Sequence, residues 1–184
     1  MDFSNFQLVR LEHDYPIKPF DCGDTDLNDF LLNDSCPQLK QLFSVTYLLE
    51  DLVSNKTVAF FTLVNDKIKI EESRSKNFWV TKVGKKIPHN KRRKDYPAVK
   101  LGRLGVHNDY KANKVGTQIL NYLKIWFVDK NKTGCRFITV DAYSQSLKFY
   151  EKNGFDYLTD KDEKDGKNKK NGTRLMYFDL KQIV

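Results

Sequence analysis

Apolar positions along this chain fall into two periods, and the changes from one to the other mark its elements. Alternating or dense β-branched and aromatic residues predict strands at Phe6 to Glu12, Phe43 to Asp51, Thr57 to Asn65, Ala98 to Val106, Cys135 to Ala142, Phe155 to Leu158 and Thr173 to Leu180. Val53 to Lys56 makes the second and third a hairpin, and Lys67 to Ile70 either extends the third or starts another element. Helical spacing appears at Leu27, Phe30 and Leu31, behind the N-cap candidates Asp24, Thr25 and Asp26, so Thr25 to Asn33 is predicted helical, with Pro37 in or just after a second turn. Glu71 to Val80 reads as a short helix with Phe78 and Trp79 inward. Ile119, Leu120, Leu123, Trp126 and Phe127 predict a helix over Thr117 to Asp129. Leu147, Phe149 and Tyr150 lie on one that starts at Tyr143 or Ser144 and ends at Asn153-Gly154. No repeat and no linker divides the chain, so residues 1–184 read as a single α/β domain.

One stretch organises the rest. Tyr96 to Leu120 runs from a half-apolar strand through a polar, basic turn, Asn108 to Lys114, into a helix. A helix N-terminus carries unpaired N–H groups and a partial positive charge, so the turn before it suits a pyrophosphate. Lys111 and Lys114 add full charges to that turn.

Composition narrows the classes. With 184 residues, 40% of them hydrophobic and 13% aromatic, the chain can bury a core. The formal net charge of +8 favours a polyanionic partner or reflects a lysine-rich solvated surface. Lys82 to Lys94 concentrates it in Lys82, Lys85, Lys86, Lys91, Arg92, Arg93 and Lys94, which either contact RNA phosphates or stay solvated. Asp160 to Gly172 reads as a charged, mobile hairpin loop. Cys22, Cys36 and Cys135 are odd in number and lack metal-ligand spacing, so reduced thiols and no metal are expected. The N-terminus has no apolar signal region and no apolar run reaches membrane-span length, so a cytoplasmic protein without a membrane partner is expected.

The stretch Tyr96 to Leu120 resembles the strand, pyrophosphate loop and helix of the GNAT acetyltransferases, the acetyl-CoA-dependent N-acetyltransferases. Phe149-Tyr150-Glu151-Lys152-Asn153-Gly154-Phe155 resembles their C-terminal signature. Phe20-Asp21-Cys22-Gly23 with Leu27, Phe30 and Leu31, and the run Leu101 to Val106, resemble the branch containing the TacT-like toxins, which acetylate the amine of aminoacyl-tRNA. The resemblance spans roughly residues 8 to 183. It implies a single GNAT acyltransferase domain with a mixed, splayed β-sheet flanked by helices. It also implies acetyl-CoA as co-substrate, aminoacyl-tRNA as acceptor, and an antitoxin and a second copy of the chain as partners.

The family's pyrophosphate pattern falls on Lys111, Ala112, Asn113, Lys114, Val115 and Gly116, followed by Thr117. Gly116 is retained, Lys111 replaces an arginine or glutamine, and Lys114 replaces a glycine, where close backbone approach and positive φ are wanted. Leu104, Gly105 and Val106 match the strand that pairs with the pantetheine arm and could polarise the thioester carbonyl; Gly105 is an opening for backbone approach or a bulge. Tyr150 resembles the tyrosine that protonates the departing thiolate, or it is a core residue between Phe149 and Phe155. Arg103 steers acceptor RNA or braces a sheet carboxylate, and Lys91, Arg92 and Arg93 are the other acceptor candidates. Ser144 and Ser146 hydrogen-bond the cofactor or cap the helix. Cys22-Gly23 would line the acceptor entrance or form a tight turn. No carboxylate stands out as a base, Asp141 included. Two rivals stay open: acetylation of a small-molecule or protein amine, and a non-catalytic acyl-CoA- or RNA-binding module.

Overall fold

The computed structural model describes residues 5–85, 87–88, 92–129, 133–159 and 172–184. Among the described residues seven strands form one mixed sheet: β1 Phe6–Arg10, β2 Val45–Asp51, β3 Lys56–Lys69, β4 Asp95–Val106, β5 Phe137–Tyr143, β6 Asp156–Tyr157 and β7 Thr173–Asp179, in the order β1-β2-β3-β4-β5-β7-β6. β1–β2, β2–β3, β5–β7 and β6–β7 pair antiparallel, whereas β4 and β5 pair in parallel through Ala98–Lys100 and Phe137–Thr139. The helices are α1 Thr25–Asp29, α2 Ser35–Lys40, α3 Lys76–Phe78, α4 Val115–Val128 and α5 Leu147–Lys152. None of the described helices is long and apolar enough to cross a membrane. By packing, the chain divides into two compact units: Met1–Val64 with Leu101–Tyr122, and Asn65–Lys100 with Leu123–Val184.

In the first unit Leu11, Phe20, Cys22, Phe30, Leu31, Leu48 and Phe60 form the core. Strict alternation along β2 buries Thr46, Leu48 and Glu50 on one face. The buried Glu50 carboxylate takes donors from Lys18 Nζ and Tyr15 Oη, each at 2.7 Å, so its charge is compensated inside the fold. Burial, with Glu50 alongside, pushes the Tyr15 phenol up to about 12. α1 starts where the sequence predicts, with Asp24 Oδ1 accepting from Leu27 N at 3.2 Å. The predicted helix does not end at Asn33. A wider turn over Phe30–Asp34, in which Ser35 N donates to Phe30 O, carries it on into α2. Pro37 lies two residues further, where its ring would press on the Asn33 carbonyl; widening the preceding turn relieves that contact.

In the second unit Ile68, Trp79, Val83, Tyr96, Ala98, Phe137, Leu158 and Tyr177 form the core. The helix predicted over Glu71 to Val80 is broken. A 3-10 turn spans Ile70–Glu72, and α3 begins only after Ser75, whose Oγ accepts from Phe78 N at 3.0 Å. Arg74, between them, spends its guanidinium on Asp156 and the Tyr157 carbonyl and on the Phe78 ring, 4.0 Å away, and these tertiary contacts override local helix propensity. Trp79 stacks on Tyr96 at 5.5 Å and donates Nε1–H to Arg93 O at 3.1 Å, while Arg93 N donates to Tyr96 Oη at 2.9 Å. The basic stretch therefore rejoins β4 at a fixed point.

Gly105 on β4 tests the packing of the first unit. A Cβ there would lie 2.5 Å from Phe60 Cε1 and 3.3 Å from Phe20 Cζ. Gly105→Ala should lower stability by about 1–3 kcal/mol, as overpacking does, read from the urea unfolding midpoint.

Candidate active site

The segment after β4 is built residue by residue toward a helix start. His107 N donates to Val58 O at 2.8 Å, closing the strand. His107 Nδ1 accepts from Asp109 N at 3.2 Å, which leaves the proton on Nε2, and the ring packs edge-on against Phe20 and Tyr110. Asn108–Asn113 then form a 3-10 turn. Lys114 follows with φ 55° and ψ 26°, in the left-handed region. This is the position where the resemblance puts glycine, and the backbone adopts the glycine-like conformation with a lysine in place.

α4 begins at Val115, two residues before the predicted start, so Val115 and Gly116 belong to its first turn. Gln118 N donates to Lys114 O at 3.1 Å, so the preceding N–H groups of Val115, Gly116 and Thr117 have no carbonyl within the helix. Val115 is buried, Gly116 and Thr117 are half-buried, and Lys111, Ala112, Asn113 and Lys114 are exposed. Lys111 Nζ donates to Cys22 O at 2.6 Å and so ties the loop down with one of its N–H groups. The Lys114 ammonium meets no partner among the described residues. Three free N–H groups, the positive end of a fourteen-residue helix and an unpaired cation fit a diphosphate.

Leu104 and Val106 are half-buried, and Gly105 between them is buried against Phe60 and Phe20. Glycine at 105 makes room for those rings on that face. Arg103 lies 3.8 Å over the Phe30 ring, and its Nε is shielded from solvent without a hydrogen-bond partner. The guanidinium thus braces an aromatic ring and not a sheet carboxylate. Cys22 is buried, with Sγ 3.2 Å from Asn28 Oδ1, and burial pushes its thiol up, which keeps it protonated and poorly nucleophilic. Gly23 has φ +77°, as a tight turn requires.

In the second unit, β5 passes through the turn Ser144–Ser146 into α5. Ser144 Oγ donates to Gly172 O at 2.9 Å, and Ser146, at the N-cap of α5, makes no capping bond, so neither serine caps the helix. Tyr150 is 7% exposed and lies edge-on to Phe149 and Phe155. Burial raises its phenol well above the usual value, and its hydroxyl has no hydrogen-bond partner among the described residues. Its backbone is held tightly: Asn153 N and Phe155 N both donate to Tyr150 O, at 3.0 and 3.1 Å. Asn153 O in turn accepts from the buried Lys124 Nζ at 2.6 Å, and burial pushes that ammonium's pKa down. Asp141 pairs with Lys100 at 2.9 Å. Arg92 and Arg93 are exposed, and Lys91 lies outside the described residues, as does most of the charged segment 160–172. Sequence reasoning passed over His107, Asn108 and Lys124; the short polar residues at the strand exit were the available signal for the first two.

Residues 74–157 match the family model described as an acetyltransferase (GNAT) domain. That stretch, somewhat under half of the chain, is similar to a GNAT acetyltransferase domain. Among solved structures, its fold is similar to that of AtaT complexed with acetyl-methionyl-tRNAfMet, at 23% identity, 97% of this chain, 96% of that chain and a TM-score of 0.73. It is also similar to a tyrosine-to-phenylalanine mutant of KacT, at 21% identity, 98% of both chains and a TM-score of 0.74. AtaTR bound with AcCoA is a third such structure, at 22% identity, 97% of this chain, 96% of that chain and a TM-score of 0.67. No curated protein matches the chain.

The left-handed Lys114 yields a direct test. Lys114→Gly should be neutral or stabilising by up to about 1 kcal/mol, because relief of left-handed strain outweighs the added unfolded-state entropy. Lys114→Val should destabilise by about 1 kcal/mol or more, since a β-branched residue tolerates positive φ least. Paired urea titrations read both.

Proposed function

We propose that this protein transfers the acetyl group of acetyl-CoA to the α-amine of aminoacyl-tRNA, blocking translation from within the cytoplasm. The observation that carries the reading is near-full-length likeness of fold to AtaT complexed with acetyl-methionyl-tRNAfMet. The net charge of +8 and the exposed Arg92 and Arg93 support it, because a polyanionic acceptor needs a positive surface. By the same likeness, an antitoxin is the proposed protein partner, as AtaR is for AtaT, and the resemblance adds a homodimer.

The N–H groups of Val115, Gly116 and Thr117 and the Lys114 ammonium hold the diphosphate of the acyl donor. Lys111, Ala112 and Asn113 form the rim of that loop. Backbone N–H groups of Leu104 to Val106 hydrogen-bond the pantetheine arm and the acetyl oxygen. Ser144 offers its oxygen to the cofactor, and Arg103 with Lys91, Arg92 and Arg93 takes the acceptor's phosphates. Transfer is direct: the neutral amine attacks the acetyl carbonyl, the C–S bond breaks, and the attacking nitrogen passes its extra proton to water. Tyr150 gives its hydroxyl proton to the departing sulfur and recovers one from solvent.

Tyr150→Phe should reduce kcat by about 10²–10³-fold while leaving the KM for acetyl-CoA within about twofold. Its raised pKa keeps Tyr150 protonated at and below the usual tyrosine value of about 10, so the rate should rise with pH as the acceptor amine deprotonates and show no basic fall below about pH 10. Incubation with labelled acetyl-CoA and a pool of charged tRNA, polyamines and peptides identifies the acceptor. Label on charged tRNA supports the proposal, and label confined to peptides or polyamines replaces it with a small-molecule or protein acetyltransferase.

A further inference from the structure

The turn Asp21–Gly23 contacts the cofactor loop through its backbone and through the Asp21 carboxylate. Asp21 O accepts from Asn108 N at 3.0 Å, and Asp21 Oδ2 accepts from Asn108 Nδ2 at 3.0 Å. Asp21 Oδ1 accepts from Gly23 N at 2.7 Å and from Asn28 Nδ2 at 2.8 Å. Asn28 Oδ1 then takes Cys22 N at 2.9 Å, which fixes the turn to α1. Lys111 Nζ closes the circuit on Cys22 O at 2.6 Å. Both Asn108, which opens the loop, and Lys111, three residues on, are thus anchored to one turn. The far side is held too: Tyr110 Oη donates to Asp51 Oδ2 at 3.0 Å, and Lys56 meets Asp109 at 3.3 Å.

We infer that Asp21 is a positioning residue for donor binding: its carboxylate holds the Asn108–Lys114 loop in the shape that presents the start of α4 to a diphosphate. The inference rests on the proposed seat of the donor's diphosphate. Loop residues left free would lose backbone freedom on binding, and a latch set in advance removes part of that cost. The Gly23 N–H, then the Asn28 amide, hold the Asp21 carboxyl below the usual carboxylate range, so the latch is charged throughout the neutral range. Gly23 has φ +77°, and a Cβ there would lie 3.1 Å from Asn108 Oδ1, so a glycine lets the turn approach the loop.

The test compares acetyl-CoA with acetyl-pantetheine, which has the same thioester and no diphosphate. Asp21→Ala should raise the KM for acetyl-CoA by about tenfold, leave kcat and the acceptor KM within about twofold, and leave kcat/KM for acetyl-pantetheine unchanged. Asp21→Asn, which keeps one acceptor oxygen, should fall between wild type and Asp21→Ala. Should Asp21→Ala fail to fold, Asn108→Ala removes only the Asn108 amide's bond to the carboxylate and should give the same donor-selective rise, about threefold. A variant that loses activity equally with both donors, or keeps the wild-type KM while melting earlier, overturns the inference and leaves the diphosphate seat standing. A wild-type protein that uses acetyl-pantetheine as well as acetyl-CoA overturns the diphosphate seat and the latch together.

Discussion

A lysine held in a left-handed conformation decides where the central helix begins. Lys114 turns the chain from the 3-10 loop after β4 into α4, and it does so at φ 55°, where a side chain costs about 1–2 kcal/mol relative to glycine. Such a residue persists only where its surroundings over-determine it. Here the preceding loop is tied by Asn108 and Lys111 to one turn and by Asp109 and Tyr110 to the β2–β3 hairpin. The geometry that results leaves the first N–H groups of α4 unpaired and adds a cation beside them. Substituting lysine for glycine thus keeps the backbone shape and supplies a charge.

The second unit solves a different problem, the placement of one phenol. Tyr150 lies in an aromatic wall of Phe149 and Phe155, and its carbonyl is shared by two backbone donors at the end of α5. The buried Lys124 caps the same helix end through Asn153 O, with its ammonium 4.2 Å from the Phe178 ring centre. Burial favours the protonated phenol, the form that the proposed proton donor needs.

Much of this was legible in the residues. All seven strands fall within a few residues of where β-branched and aromatic runs put them, because half-buried strands select those side chains. β3 runs on to Lys69, the extension that Lys67 to Ile70 left open. The start of α4 was not legible, since Val115-Gly116 is a poor helix opening and the turn before it lacks its usual glycine. The wider turns at Phe30–Asp34 and Trp79–Val83 were also hidden, because no local period reports them. Of the candidate site, the loop and Tyr150 were visible as spaced motifs. The bond between Asn108 and Asp21 was not, because it joins residues 87 apart and no local period reports it. No sequence pattern singled out Lys124, which is only 8% exposed.

The measurement that tests the account most directly is backbone amide hydrogen exchange, residue by residue, with and without acetyl-CoA. The account predicts that acetyl-CoA slows exchange at Val115, Gly116 and Thr117, whose N–H groups have no partner within α4. Binding that leaves those three amides unchanged while protecting others would contradict it.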